Sequence, residues 1–302
     1  MFNKISVKVA IFVNLALLVV VAGGAYYVAD QQSRSLEDQL LQRGKIESIL
    51  GAKLTGRVIE EAIDNGVFSV NDAFDTEYVL IPGFEPAKYH TKYDSYLDKA
   101  LLALQDEFLK DDSVVFAVSV DRNGYLPTHN TKYQQPITGD QQRDLTGNRT
   151  KRIFNDEIGI QAAHNTEPAF QQVYHRDTGV TMWDISSPIY VKGQHWGGFR
   201  IGFSLGKIEA AKQQLQLKLF GIMGGILLVS LIVVFVTVNK SLQPLTRITE
   251  MASSLANGNL NQPIQIRGRD EISQLADVLE RLRLSIQTAM KRLSRKNKEG
   301  PG

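Results

Sequence analysis

Residues 219–238 read LFGIMGGILLVSLIVVFVTV, and residues 239–293 follow as NKSLQPLTRITEMASSLANGNLNQPIQIRGRDEISQLADVLERLRLSIQTAMKRL. The first run carries no charge and is long enough, as a helix, to cross a hydrocarbon core of roughly 30 Å. Lys240 ends it, and the chain turns polar with an apolar residue every three or four positions. A membrane-length helix joined directly to helical segments of coiled-coil period reads as a transmission device rather than a simple anchor. What it transmits has to come from the other side.

Pro244-Leu245 opens a segment whose apolar positions are Leu245, Ile248, Ala252 and Leu255. Asn257-Gly258 stops it, and residues 259–269 form an extended connector with Leu260 and Ile264 as apolar pegs. Asp270-Glu271 then starts a second helix, with acidic groups at the end where the helix dipole favours them. Its apolar positions Ile272, Leu275, Leu279, Leu282, Ile286, Ala289 and Leu293 are separated alternately by three and four residues, a sustained heptad. One helix pair buries little by itself, so two copies are expected to form a parallel four-helix bundle.

The chain has 302 residues, enough for two ordinary domains, and 22% of them are charged, as in a protein that mostly folds in water. A net charge of +2 and the absence of a basic, aromatic-interleaved stripe argue against a nucleic-acid partner. There are no cysteines, which removes disulfides, thiol catalysis, thiolate metal sites and haem attached through C-x-x-C-H.

At the other end, residues 1–8 carry Lys4 and Lys8, and residues 9–28 have no charge. Ala22-Gly23-Gly24-Ala25 offers small residues for signal cleavage, but the apolar run exceeds the roughly 7–15 residues of a signal-peptide core. An uncleaved anchor is expected, with its lysines on the cytoplasmic side. Lys240 and Arg247 after the second run repeat the bias, placing both termini in the cytoplasm and residues 29–218 outside. Asn14 in the first span and Gly221-x-x-x-Gly225 in the second are compatible with helix association.

From residue 30 to about residue 65 the chain consists of good helix formers without proline and ends at Asn65-Gly66. It reads as one long helix rising from the membrane, with Gly44, Gly51 and Gly56 either weakening it or admitting a close neighbour. Residues 67–95 read as irregular, and a second helix is expected over residues 93–110. Strand texture follows: residues 113–120 (SVVFAVSV), a hairpin turn at Asp121-Arg122-Asn123-Gly124, and a return strand from Tyr125-Leu126. A polar insertion over residues 134–166 with one short helix separates these from three more strands, residues 169–175, 180–191 and 196–205. Gly206 then hands over to a helix running into the second span.

The Pro-Leu … Gly-Asn-Leu … Asp-Glu-Ile pattern after a membrane helix resembles a HAMP domain, the linker of bacterial chemoreceptors and sensor kinases. In that resemblance Pro244, Gly258, Leu260, Ile264, Asp270 and Glu271 are the signalling positions. DRNGYLPTHN (121–130), NRTKRIF (148–154) and RDTG…PIYVKGQHWGGFRIGF (176–203) resemble the PAS-like, Cache-type sensor domain of some methyl-accepting chemotaxis proteins. Related domains include haem-c-bearing forms, but without cysteine that ligand does not carry over, and no cofactor is expected. Chemoreceptors continue beyond HAMP into a methyl-accepting hairpin. This sequence ends in RKNKEGPG, so it reads either as a short receptor with output in trans or as a truncated chain.

No catalytic or metal-binding motif is present: no G-x-S-x-G, P-loop, H-E-x-x-H or EF-hand loop, and the five histidines are scattered. The chain is therefore expected not to be an enzyme. A ligand pocket between sheet and insertion is the sharper expectation. Its candidates are Tyr125, His129, Asn130, Arg149, Lys151, Arg152, Tyr174, Arg176, Asp177, Trp183, His195 and Trp196. Arg149-x-Lys151-Arg152 suits a carboxylate, which arginine binds through two parallel hydrogen bonds. The structural alternative pairs Arg149–Arg152 with Asp156, Glu157 or Asp177 to hold the insertion.

The expected architecture is an α+β sensor domain, an antiparallel PAS-like sheet with a long N-terminal helix, set between two transmembrane helices and followed by an all-α HAMP bundle. The boundaries are a cytoplasmic N-terminus (1–8), span one (9–28), sensor (29–218), span two (219–238), HAMP (239–293) and a disordered tail (294–302). The expected function is a homodimeric, two-pass sensory receptor of a bacterial inner membrane. It detects a small molecule outside and signals through HAMP to a separate kinase or chemoreceptor-type protein. The rival is a membrane scaffold whose outer domain binds another protein and whose HAMP segment dimerises.

Overall fold

The computed structural model describes residues 5–176 and 179–296. It divides into two compact units: Ala29–Leu217, and the segments up to Val28 and from Lys218 onward.

Helix α1 runs unbroken over Ile5–Asp64. Gly66, in the left-handed conformation, terminates it: its N–H donates to the Ile63 carbonyl and the Val67 N–H to the Ala62 carbonyl. The stretch read as irregular contains order that depends on short-range chemistry. Helix α2 (Val70–Ala73) is held by a reciprocal capping box between Ser69 and Asp72, and β1 (Val79–Ile81) pairs with β2 (Lys88–His90). The helix expected over 93–110 divides at Leu101 into α3 (Asp94–Ala100) and α4 (Leu102–Phe108).

Strand β3 (Val114–Asp121) leads to a turn organised by the Asp121 carboxylate, which accepts the N–H groups of Asn123 and Tyr125 at 2.9 and 2.8 Å. The expected hairpin does not form. Strand β4 (Tyr125–Leu126) turns away from β3 and pairs with β5 (Arg152–Ile153). The insertion is richer than one helix: a 3-10 turn (Thr131–Tyr133), α5 (Gln141–Gly147), β5, and α6 (Glu157–His164). Asp140 and Asp156 cap α5 and α6 by accepting first-turn N–H groups.

Strands β6 (Phe170–His175), β7 (Thr181–Val191) and β8 (Gln194–Ser204) join β3 in an antiparallel sheet of order β3-β8-β7-β6. Lys192 and Gly193, both at positive φ, make the two-residue turn between β7 and β8. Alternation gives the sheet two faces. On one, Ile185, Ile189, Phe199, Ile201 and Phe203 pack with Ala52 and Ile59 of α1. On the other, Phe116, Val118, Val120, Tyr174 and Met182 pack with Tyr133 and Ala163 from the insertion.

The glycines of α1 allow its close approach to the first face. A Cβ at Gly51 would lie 2.3 Å from the Phe199 ring, one at Gly44 2.6 Å from Phe203, and one at Gly56 2.6 Å from the Tyr190 carbonyl oxygen. Two buried hydroxyl pairs fix the register of helix on sheet, Ser48–Ser187 and Thr55–Ser119, each at 2.8 Å.

Helix α7 (Leu205–Ala256) starts at the residue after β8 and runs through Lys240 and Pro244 without a break. Pro244 therefore sits inside a helix instead of opening one. In the second unit, α1 and α7 supply two helices long and apolar enough to cross a membrane. Gly258, at positive φ, ends α7, and α8 (Glu271–Lys296) follows. Asp270 caps α8 by accepting the Ser273 N–H at 3.0 Å. Ile264 of the connector is buried with Ile248 and Ala276, flanked by Met251, Leu255, Ile272 and Leu279. The rest of the heptad faces outward in one chain: Leu275 is 43% exposed, Leu282 51% and Leu293 61%.

Candidate functional site

On the insertion side of the sheet lies a cavity of about 20 Å3 lined by Phe116, His129, Arg149, Tyr174, Arg176 and Arg200, with Val118, Leu126 and Phe154 completing the wall. Four of the residues singled out from sequence line it: His129, Arg149, Tyr174 and Arg176. They arrive from four separate segments: the loop after β4, the loop after α5, β6 and the loop after β6.

The arginines are buried, Arg149 2% exposed, Arg176 6% and Arg200 4%. Each guanidinium lies over an aromatic ring: Arg149 5.0 Å from the Phe154 centroid, Arg176 4.6 Å from Tyr133, and Arg200 5.6 Å from Tyr174. Arg149 also donates to the Leu145 carbonyl and Arg176 to the Tyr133 hydroxyl. Arg200 grips Asp184 across β7–β8 through Nε and Nη2, at 2.7 Å for the shorter contact. Burial drives the Asp184 carboxyl up while the Arg200 charge opposes that shift. His129 accepts the Asn130 N–H on Nδ1 at 2.8 Å, which leaves the proton of a neutral ring on Nε2. Burial first, then the charges of Arg176 and Arg149, hold this imidazole well below its ordinary pKa.

Glycines on either side of Arg200 make room for this arrangement. A Cβ at Gly202 would fall 2.4 Å from the Phe116 ring, and one at Gly198 2.6 Å from the Ala162 carbonyl oxygen of α6.

The other candidates lie elsewhere. Asn130 braces the pocket loop: its Oδ1 accepts the Ala117 N–H at 2.9 Å. Arg152 lies 5.1 Å from the Phe154 centroid and donates to the Leu145 carbonyl, the same acceptor as Arg149. Tyr125 and Lys151 belong to a separate polar cluster. Lys151 is 3.0 Å from Asp94, and the Tyr125 hydroxyl donates to the Tyr89 carbonyl at 2.8 Å. Trp183 and Trp196 are in the core of the opposite face, Trp196 donating to the Ala73 carbonyl at 2.7 Å. His195 meets Tyr190 edge-on near the β7–β8 turn. Asp177 lies outside the described residues.

Sequence reading missed Phe116, Tyr133, Phe154, Asp184 and Arg200. Arg200 carried a signal, a lone charge in an otherwise apolar and glycine strand, GGFRIGF. A buried strand tolerates such a charge only when it is paired. Among the described residues, no group of three or more histidine, aspartate or glutamate side chains is placed to hold a metal ion.

Of the positions singled out from the sequence in this region, Leu260 and Ile264 of the connector are clamped to α8. The Ile264 N–H donates to Glu280 at 2.8 Å, and Arg283 donates to the Leu260 carbonyl while holding Glu280 at 2.6 Å. The Arg283 hydrogen bonds, then the Ile264 N–H, pull the Glu280 carboxyl down to about 2. Gly258 terminates α7, Asp270 caps α8, Glu271 lies in its first turn and Pro244 is internal to α7.

No curated protein matches the chain. Among solved structures, an extracellular ligand binding receptor from Desulfohalobium retbaense DSM5692 aligns at 12% identity and TM-score 0.30, over 62% of this chain. The chain spans about a quarter of that structure's length (26%), and a superposition of this quality does not define a shared fold. The family comparison is specific to the cytoplasm-side helices expected from the sequence: residues 236–288 match the HAMP domain.

Proposed function

We propose that the chain is a two-pass receptor of a bacterial inner membrane, with residues 29–218 outside and both termini in the cytoplasm. A small molecule held between sheet and insertion alters the outer domain, and the HAMP segment of a homodimer relays the change to a separate signalling protein. The observation that carries this reading is the position of β8. Its Arg200 lines the cavity, its Phe199 and Phe203 press on the glycines of α1, and its last residue, Ser204, adjoins α7 with no linker. A shift of β8 toward or away from the cavity therefore acts at once on both helices that reach the apolar spans. Packed helix interfaces respond by switching between discrete arrangements, and a ligand biases them only by its difference in affinity for the two. The outward-facing Leu275, Leu282 and Leu293 supply the apolar surface that a second copy would cover.

The cysteine-free sequence makes the test clean. Leu275→Cys and Leu282→Cys are introduced singly in the full chain in bacterial membranes, and disulfide crosslinking is measured with and without Gly51→Ala, which displaces α1 from the sheet. Crosslinking that forms and changes with Gly51→Ala is expected. Chains that never crosslink, or a pattern indifferent to the outer domain, would overturn the proposal.

One observation favours the scaffold reading. A volume of about 20 Å3 holds little more than one water. Retention of a protein partner by the outer domain in the absence of any small molecule, with unchanged HAMP crosslinking, is the outcome that reading requires.

A further inference from the structure

Between Gln31 and Asp64, helix α1 turns one side to the sheet and the other to solvent. Gly44, Ser48, Gly51 and Thr55 meet the sheet. The opposite side carries Ile46, Leu50, Lys53 and Arg57, spaced by four, three and four residues and therefore in one stripe. Ile46 is 65% exposed and Leu50 49%, whereas every other exposed residue of this part of α1 is polar.

The stripe adjoins a groove of about 970 Å3 between α1 and α4, whose floor is Leu50, Leu54, Leu104 and Phe108. Apolar surface is thus continuous from the ridge of α1 into the groove beside it. The rim has four carboxylates, Glu47, Glu107, Asp111 and Asp112, and two cations, Arg43 and Lys110. Arg43 holds Glu47 and Asp111, and Lys110 holds Glu107, so the rim keeps a surplus of negative charge. The stripe has the opposite sign. Lys53 has no carboxylate partner among the described residues, and Arg57 has only Glu61 of its own helix.

A trough between two helices with an apolar floor takes a third helix that brings apolar residues at i and i+4. Helix α1 is itself such a helix, with Ile46 and Leu50 followed by Lys53 and Arg57. We infer that the α1–α4 groove is an interface between two copies of the chain, and that its occupant is α1 of a second copy. Two copies inserted the same way in one membrane raise their α1 helices in parallel, so equal positions come level and the contact is isologous. Each copy's Ile46 and Leu50 then enter the other's groove, and basic stripe meets acidic rim. Leu50, at the new contact, is the neighbour of Gly51, where Phe199 of β8 presses on α1 from the sheet side. This inference rests on the receptor reading and adds an outer contact to its HAMP contact.

The test uses the full chain, which has no native cysteine, in bacterial membranes. Ile46→Cys and Leu50→Cys are compared with Val79→Cys on β1 and Val173→Cys on β6, positions of similar exposure. Disulfide dimers should form at 46 and 50 and not at 79 or 173. Ile46→Cys and Leu104→Cys chains carrying different tags are then co-expressed, and a mixed 46–104 dimer should appear, because α4 forms the far wall of the groove. Leu50→Glu should abolish the Ile46→Cys crosslink by placing a carboxylate on the apolar floor beneath an acidic rim. Leu50 is exposed in the single chain, so this variant should fold, as judged by circular dichroism; Ile46→Glu combined with Leu50→Cys is the second variant.

Crosslinking at 173 or 79 as strong as at 46, a crosslink at 46 to a different protein, or a 46–46 dimer without any 46–104 dimer would overturn the inference. So would a crosslink indifferent to both glutamate variants. If Leu282→Cys crosslinks while Ile46→Cys and Leu50→Cys do not, the outer interface falls and the receptor stands.

Discussion

Strand β8 presents Phe199, Ile201 and Phe203 to one side of the sheet and Gly198, Arg200 and Gly202 to the other. The two faces are equally buried and are stabilised by different physics. Toward α1 the residues are large and apolar, and the helix supplies glycines and small hydroxyls, so the contact is set by shape. Toward the insertion the strand supplies a charge between two glycines, and partners must be found for that charge. The first face can only be displaced as a whole. The second is held by a buried ion pair and by guanidiniums stacked on rings, so it depends on the pairing of charges. A single strand that carries both is a direct mechanical link between them.

The contrast is broken most severely by Asp184→Ala. It leaves the Arg200 guanidinium buried without its carboxylate, and removing one partner of a buried pair costs about 3–5 kcal/mol. Urea denaturation of the full chain in detergent checks this; a loss below about 1 kcal/mol would mean that the pair is solvated and the second face is not a charged interior.

Next comes Gly51→Ala, which drives a methyl group into the Phe199 ring and is expected to cost about 1–3 kcal/mol. The double variant Gly51→Ala, Phe199→Leu should recover part of that loss, because the clash is with the ring. Additive losses would show that the helix does not rest on this residue.

A smaller effect, about 1 kcal/mol, is expected for Thr55→Val, which deletes the 2.8 Å hydrogen bond to Ser119. Thr55→Val combined with Ser119→Ala should cost less than the sum of the single changes, since no buried hydroxyl is then left alone.

The smallest effect concerns the HAMP segment, where the pair of Glu280 and Arg283 offers a contrast to Asp184 and Arg200. Glu280 is shifted down to about 2 from 4.5 by Arg283 and the Ile264 N–H, so its folded form binds a proton less readily than the unfolded chain. Its contribution is complete above about pH 4.5 and is lost as pH falls through about 2. Acid titration of Leu282→Cys crosslinking should show this step, and Glu280→Gln should abolish it, because at neutral pH the variant already lacks the carboxylate that the wild type loses in acid.

Much of the fold was legible because it is local. Spans, strand texture and the connector with its heptad follow from hydropathy and from periods of 2 and 3.5 within single segments. The glycines of α1 were also visible, though not which of two roles they play; the rings of Phe199 and Phe203 decide for close approach. The capping box at Ser69 and Asp72 holds a helix of only four residues, too short to show a hydrophobic period. The turn after β3 misled for a physical reason. Asp121-Arg122-Asn123-Gly124 has hairpin chemistry, yet the Asp121 carboxylate captures the Asn123 and Tyr125 N–H groups and sends the chain to β5. The candidate site was half legible. Arg149 and Arg176 were found as charges in a patterned insertion, whereas Phe116 and Tyr133 look like ordinary core residues until an arginine is stacked on them.

The sequence by itself determined that two uncharged runs bracket a sheet-forming region, that two amphipathic helices follow, and that no thiol chemistry is available. Each of these depends on composition or on a period within one segment, which no distant contact can revoke. Only the tertiary structure decided that His129, Arg149, Arg176 and Arg200 surround one cavity while Trp183 and Trp196 lie on the far side of the sheet. Residues tens of positions apart meet only through strand register and the seating of α1 and α6 on the sheet. A shift of register by one residue would exchange the two faces and send Arg200 into the core.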